Sequence, residues 1–205
     1  MQEMIDDIDD HGFTDTPLPR KLAILNDVYF DVCAREPWPF LEAFVRLSFS
    51  GSSEIPTDQP TDFRAALAMK VEGGAPIQWV RFDDFERWAG SNTPLVGSPV
   101  VYYFIGRELH FYPIPTQGLR VRMPYLRRPA ELVQGTVEAN ILLPWEFHRN
   151  VLVNGALYKL YALEDDSDLA SGFQQYYEEA IARMREFVWK AQYDSPDIVE
   201  VEWEG

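Results

Sequence analysis

Two helical periodicities joined by a short acidic break, within residues 143–192, constrain the fold of this chain more than any other feature. Pro144 suits a first helical turn, where a missing N–H costs little, and apolar residues follow it at intervals of three and four. After the acidic segment 164–168 a second, longer series has the same spacing. So short a connection predicts an antiparallel helical hairpin. The first series is Leu152, Ala156, Leu160 and Leu163; the second is Leu169, Phe173, Tyr176, Tyr177, Ala180, Ile181, Met184, Phe187 and Val188.

A third helix is predicted at residues 18–35, where prolines precede an apolar series of helical spacing and Pro37 limits the end. Because the hairpin's apolar stripes need a further partner, we expect this helix to complete an antiparallel three-helix bundle. The predicted fold class is α+β, with a helical bundle domain formed by residues 17–42 and 143–192. The series of the third helix is Leu18, Leu22, Leu25, Val28, Tyr29 and Val32.

Residues 43–142 are predicted to form a β-rich insertion into this bundle. Apolar and polar residues alternate from residue 44 to 50, and residues 63–71 favour a strand although part of that stretch also fits a helix. A short helix is expected after Asp83 or Asp84. Residues 99–126 predict a β-meander with turns near Gly106 and Gly118, and Pro124 is expected at an edge or a strand end.

The net charge of −15, from 33 acidic and 18 basic residues, lies mostly at the two ends. Residues 1–16 hold six acidic residues and no basic one, and we treat them as an acidic N-terminal arm. Residues 193–205, the C-terminal tail, hold five and none. Local basic pairs such as Arg120 with Arg122 and Arg127 with Arg128 are too few for sequence-specific DNA binding. An acidic wall would instead let a DNA duplex pass without sticking.

Cysteine usage and hydropathy indicate a soluble intracellular protein with no membrane partner. The lone Cys33 excludes an internal disulfide and fits a reducing compartment. The amino terminus is acidic where a secretory signal would be basic. The longest apolar run, residues 100–105, is too short to cross a bilayer.

No motif predicts a catalytic, cofactor or metal site. Cys33 lies on a predicted apolar helix face, and His11, His110 and His148 are far apart in sequence. His148 is predicted to be packed or capping rather than catalytic. The acidic cluster 165–168 lacks the glycine and the distal glutamate of a calcium loop, and it is predicted to cap the helix that follows.

Other acidic residues leave an enzymatic alternative open. Glu164, Glu178 and Glu179 have the residue type needed for acid–base chemistry, although helical acids most often form a solvated face. The alternative to a structural role is therefore an enzyme or small-molecule-binding protein with a pocket between the bundle and the β insertion.

The C-terminal tail has the pattern of a strand that lacks an internal partner. Ile198, Val199, Val201 and Trp203 interleave with glutamates, which predicts a frayed end or a partner on another chain. Trp189, Tyr193 and Trp203 have no obvious core to join, so interface and plain packing both stay open for them.

The order of several short motifs resembles the adaptor, or head–tail connector, proteins of tailed bacteriophages over residues 17–190. A helix ends in a Trp-Pro-Phe-Leu segment, a β insertion follows, and a Leu-Pro-Trp-Glu-Phe-His segment opens the helical hairpin. The matching residues are Trp38-Pro39-Phe40-Leu41, Leu109-His110-Phe111-Tyr112-Pro113-Ile114-Pro115, Leu143-Pro144-Trp145-Glu146-Phe147-His148, Glu164-Asp165 and Tyr176-Tyr177.

The resemblance implies a non-enzymatic structural protein of the virion neck, made in the host cytoplasm and needing no cofactor. In that family, subunits form a twelve-membered ring beneath the portal protein, the helices frame the DNA channel, and the C-terminal segment grips the portal. It implies contact between loops of the β insertion and a downstream tail or nozzle protein. It implies portal contact for Trp189, Tyr193, Ile198, Val199, Val201 and Trp203.

Two parts of the chain fall outside the family pattern, and they leave a second structural role open. The insertion is long, and the acidic arm 1–16 matches no family motif. A tail stopper or tube-terminator subunit is therefore the structural alternative.

Overall fold

The computed structural model describes residues 1–50, 53–89 and 95–193, without the side chains of residues 89 and 191–193. The chain divides into two compact units, a helical unit formed by Met1–Leu41 with Pro129–Gly205 and a β unit formed by Glu42–Arg128. This mixture of helices and separate sheets is consistent with the predicted α+β class. None of the described helices is long and apolar enough to span a membrane.

The described residues form five α-helices and nine β-strands. The helices are α1 (Gln2–Ile8), α2 (Leu18–Arg35), α3 (Phe82–Ala89), α4 (Asn154–Leu163) and α5 (Ser167–Tyr193). The strands are β1 (Glu42–Ser48), β2 (Phe63–Ala66), β3 (Lys70–Val71), β4 (Gln78–Trp79), β5 (Val96–Gly97), β6 (Val101–Ile105), β7 (Glu108–Tyr112), β8 (Ile114–Pro115) and β9 (Arg120–Arg127).

Helices α4 and α5 pack closely along the helical unit, joined by a short turn. Asp165 adopts a positive φ of 58° in this turn, and the Asp166 carboxylate accepts the Leu169 backbone N–H at 3.1 Å. The predicted capping role of the acidic cluster is thereby confirmed. The first helix of the predicted hairpin is less regular than its periodicity predicts, because a 3-10 turn (Trp145–Phe147) and a π-helical turn (His148–Val153) precede α4.

Helix α4 meets both α2 and α5 at a glycine. A Cβ atom added to Gly155 would lie 2.5 Å from Cγ1 of Val28 on α2 and 3.0 Å from the Tyr177 ring on α5. The absence of a side chain therefore lets α4 approach both neighbours. Further along α2, the guanidinium of Arg35 donates to both carboxylate oxygens of Glu178, at 2.7 and 3.0 Å.

The acidic N-terminal segment, predicted as an arm at residues 1–16, belongs to the helical unit. Met4, Ile5, Ile8 and Phe13 are buried, because the apolar residues of this segment share one helical face despite its charge. Lys21 of α2 is also buried, and it forms an ion pair with Asp9. The segment is therefore held by apolar packing and by one partly buried charge pair.

The larger sheet of the β unit is built around β9. Strand β1 pairs with one edge of β9, β2 and β3 pair with the other edge, and all these pairings are antiparallel. A second sheet has the order β4-β6-β7, and β5 pairs with β8. The apolar faces share a core that contains Leu47, Phe49, Met69, Ile77, Tyr102, Leu109, Phe111, Val121, Met123 and Tyr125.

Two β predictions need correction. The β6-β7 hairpin forms, but β9 pairs with β1 rather than continuing a meander from β7, because β8 leads the chain away to pair with β5. Pro124 lies inside the central strand β9 rather than at an edge. Its carbonyl accepts the N–H of Leu67, so its nitrogen, which has no hydrogen to donate, faces the interruption between β2 and β3.

Candidate interaction surfaces

The side chains considered for nucleophilic chemistry in the helical unit have packing roles. Cys33 is buried in α2. His148 is also buried, and its Nε2–H donates to the Leu143 carbonyl oxygen at 2.8 Å, as the prediction of a packed histidine requires. His11 is exposed, and its ring contacts the edge of Phe173 at 5.2 Å.

The third histidine, His110, is buried in the β unit. Its ring stacks on Tyr103 with centroids 5.4 Å apart. Nδ1 lies 3.4 Å from a Glu54 oxygen without forming a hydrogen bond, and Nε2 lies 3.4 Å from Glu108. Burial, together with the nearby Glu54 carboxylate, raises the pKa of Tyr103 to about 12. The tyrosine therefore stays neutral well above physiological pH, which suits a packed ring more than a proton carrier.

The glutamates considered for acid–base chemistry lie on the outer face of the hairpin. Glu178 is held by Arg35, and this hydrogen bonding raises the pKa of the Arg35 guanidinium. Glu179 accepts a hydrogen bond from Gln175 at 3.0 Å, and Glu164 follows α4 in an exposed position. Among the described residues, no group of three or more histidine, cysteine or carboxylate side chains could hold a metal ion.

The residues predicted to contact a portal protein are only partly covered by the described structure. Trp189 is half-buried on α5, and Tyr193 is the last residue of that helix. Four predicted contact residues lie outside the described residues: Ile198, Val199, Val201 and Trp203.

Near the carboxyl end of α5 the helical unit presents three aromatic side chains, which we name the carboxyl-end surface: Trp145 and Phe187, which are exposed, and Phe147, which is half-buried. The rings of Phe147 and Phe187 are 5.5 Å apart. Trp145, in the same turn as Phe147, has 77% of its surface exposed, the largest fraction among the exposed large apolar residues that the structure describes. Exposed tryptophan is a common anchor of protein interfaces. The Trp-Glu-Phe motif was recognised in sequence, but its exposure was not predicted.

The charge of the molecule is divided unequally between the two units. Residues 42–128 contain nine acidic and ten basic residues, and the rest of the chain contains 24 acidic and eight basic residues. The β unit therefore carries +1 and the helical unit −16. The sequence shows excess acid at both ends, but only the division into units shows that both ends belong to one unit.

The β unit also contains a groove, which we name the β2 groove, with a volume of about 830 Å³. Arg64, Arg107 and Arg128 line it beside aromatic rings. Sequence reasoning missed this site, because its arginines come from three separate segments and only the fold brings them to one cavity.

Comparisons with known proteins place the chain in a family. A search of curated proteins finds no significant match. The model of the family described as SU10 adaptor protein matches residues 1–200, which is nearly the whole chain and includes both units. The resemblance to phage adaptors is thereby confirmed, and the chain belongs to the SU10 adaptor protein family, a family of bacteriophage head–tail adaptors.

Proposed function

We propose that this chain is a structural subunit of the phage neck, forming a ring that joins the portal protein to the tail and surrounds the DNA exit channel. The observation that carries the proposal is the family match over residues 1–200. In this proposal α2, α4 and α5 form the bundle that frames each subunit. The resemblance to adaptors suggests twelve copies, and closure of a ring requires two different surfaces on each copy.

The portal contact is assigned to the carboxyl end of the chain, at Trp189, Tyr193, Ile198, Val199, Val201 and Trp203. The carboxyl-end surface supports this assignment, since exposed aromatic rings occur where α5 approaches its end. An alternating tail would add main-chain hydrogen bonds by pairing with an edge strand of the portal.

The charge of the helical unit supports its place around the DNA channel. With 24 acidic residues against eight basic ones, this unit repels phosphate groups. Double-stranded DNA would pass through the ring without sequence-specific binding, because counterion release needs clustered lysine and arginine side chains. Loops of the β unit would then contact the downstream tail or nozzle protein.

A truncation that ends the chain at residue 192 tests the portal assignment. Mixed with the portal protein of the same phage, the full chain should coelute with it in size-exclusion chromatography, and the truncated chain should elute alone. Circular dichroism and thermal unfolding check that the truncated chain remains folded. A folded truncated chain that still coelutes with the portal would contradict the assignment of the tail.

A further inference from the structure

The β2 groove has an aromatic base. The rings of Phe63 on β2 and Phe104 on β6 stack with centroids 5.6 Å apart, and the Tyr102 ring meets Phe104 edge to face at 6.1 Å. Trp79 on β4 lines the same groove with 58% of its surface exposed. The β2 groove has a volume of about 830 Å³, which falls in the range of ligand sites. The groove therefore offers apolar area that a bound segment would remove from water.

Cationic side chains stand beside these rings. Arg107 and Arg128 are exposed, and neither forms an ion pair with any residue that the structure describes. Arg64 lines the same groove. An anionic partner would supply the guanidinium groups of Arg107 and Arg128 with charge-assisted hydrogen bonds. The β unit as a whole, at +1, does not repel such a partner as the helical unit would.

A strand edge runs along the groove. All four residues of β2, Phe63–Ala66, line the groove, and β2 pairs only with β9 among the described strands. The other edge of β2 can therefore accept an added strand. The register shifts between Phe63 and Ala65, so Arg64 is the extra residue of a bulge, a position that redirects a side chain.

We propose that the β2 groove binds an extended, acidic polypeptide segment, which adds as a strand beside β2 and is supplied by the tail-side protein. In a strand, side chains alternate between two faces. A segment with alternating acidic and apolar residues can place carboxylates on the arginines and apolar side chains on the rings. The identity of the donor rests on the proposed function, whereas the chemistry of the groove rests on its own residues.

Nucleic acid fits the same arginines and rings less well. Glu108 also lines the groove. A single strand of nucleic acid carries one phosphate at every nucleotide, and Glu108 would repel a continuous line of them. A polypeptide can place a neutral or apolar residue opposite Glu108.

The test uses the full chain and a fluorescent twelve-residue peptide that alternates glutamate with valine and tryptophan. Fluorescence anisotropy should show saturable binding that weakens with salt. A peptide of the same composition with its glutamates in one block should bind about tenfold more weakly, because it cannot match both faces. The alternating peptide with N-methyl groups along one edge should also lose affinity, because it cannot pair with β2.

Matched variants locate the binding. The double variant Arg107→Ala with Arg128→Ala should bind the alternating peptide about tenfold more weakly, and Arg120→Ala, an exposed arginine of β9 outside the groove, should bind as the wild type does. If the alanine variant does not fold, Arg107→Lys with Arg128→Lys should show an intermediate loss, since lysine keeps the charge without the fork of donors.

Several outcomes would overturn the proposal. These are absence of saturable binding, equal affinity of the double variant and the wild type, tighter binding of a twelve-nucleotide thymidine strand, or tighter binding of a peptide of residues 194–205, which would make a second copy the occupant. Coelution with the portal protein distinguishes a failure of the groove proposal from a failure of the adaptor proposal. The double variant should still join the portal, and failure of the wild type to join it would reject the adaptor role while the peptide result still decides the groove.

Discussion

Asn26 ties α2 to the segment that follows β9 through two hydrogen bonds to Leu132, and it makes a third within α2. Its Oδ1 accepts the Leu132 N–H at 2.7 Å, and its Nδ2 donates to the carbonyl oxygens of Leu132 at 2.8 Å and Leu22 at 3.0 Å. Asn26→Ala would leave buried backbone groups of Leu132 without partners, so we expect a loss of about 2–4 kcal/mol of unfolding free energy. Chemical denaturation measures this loss, and the exposed Asn150→Ala is the control, expected within about 0.5 kcal/mol of wild type.

Tyr125 gives the β unit a sensitivity to alkaline pH. Its hydroxyl donates to Asp62 at 2.9 Å, and burial together with this bond raises the pKa of Tyr125 to about 12. An unfolded tyrosine ionises near pH 10, so this stabilisation is complete below about pH 10 and is lost as the pH rises to about 12.

Tyr125→Phe should therefore lose less stability than the wild type between about pH 10 and about pH 12, the window set by these two pKa values. The midpoint of chemical denaturation is measured at both pH values for the wild type and for the variant, and the change between the two pH values is compared. Tyr103, with its pKa raised to about 12, keeps part of the dependence in the variant. Identical pH dependence in the two proteins would contradict the assignment.

At the scale of elements, the crossing at Gly155 should be intolerant of a methyl group. Gly155→Ala would place Cβ 2.5 Å from Val28, and we expect a loss of about 1–3 kcal/mol despite the higher helix propensity of alanine. Gly172→Ala on α5 is the matched control, because nothing lies within 4 Å of its added Cβ, and it should gain about 0.5–1 kcal/mol. Equal gains in thermal stability for both variants would contradict the close helix packing.

The helical hairpin could be predicted from the sequence because its signal is local. Apolar spacing, the acidic turn and the Asp166 cap all lie within a few residues of the contacts that they make. The pairing of β9 with β1 could not be predicted in this way, since it joins segments about 80 residues apart whose alternation fits several partners equally. The position of Pro124 was predicted wrongly for the same reason. The gap between β2 and β3 that accommodates this proline is visible only in the fold.

The two candidate sites differ in the same way. Trp145 and Phe147 of the carboxyl-end surface lie in one short motif that the sequence shows, although Phe187 joins them only in the fold. The β2 groove could not be identified from the sequence, because Arg64, Arg107 and Arg128 meet only after the two sheets have packed on one core.

For the whole molecule, the proposed adaptor role predicts that a substitution on the carboxyl-end surface weakens binding to the portal protein without lowering the stability of the fold. Trp145 is 77% exposed, so Trp145→Ala should change the unfolding free energy by no more than about 0.5 kcal/mol. We expect the same variant to weaken coelution with the portal protein, since exposed tryptophans are frequent interface hot spots. Leu152→Ala, at a fully buried position, should instead cost about 2–5 kcal/mol.

The most direct test of the adaptor role is electron microscopy of purified phage particles and of particles made without this protein. We expect a ring of this subunit between portal and tail, with its acidic helical unit facing the DNA channel. Particles made without it should have filled heads that lack attached tails. A neck whose density contains no copy of this chain, or tails that attach normally in its absence, would contradict the account.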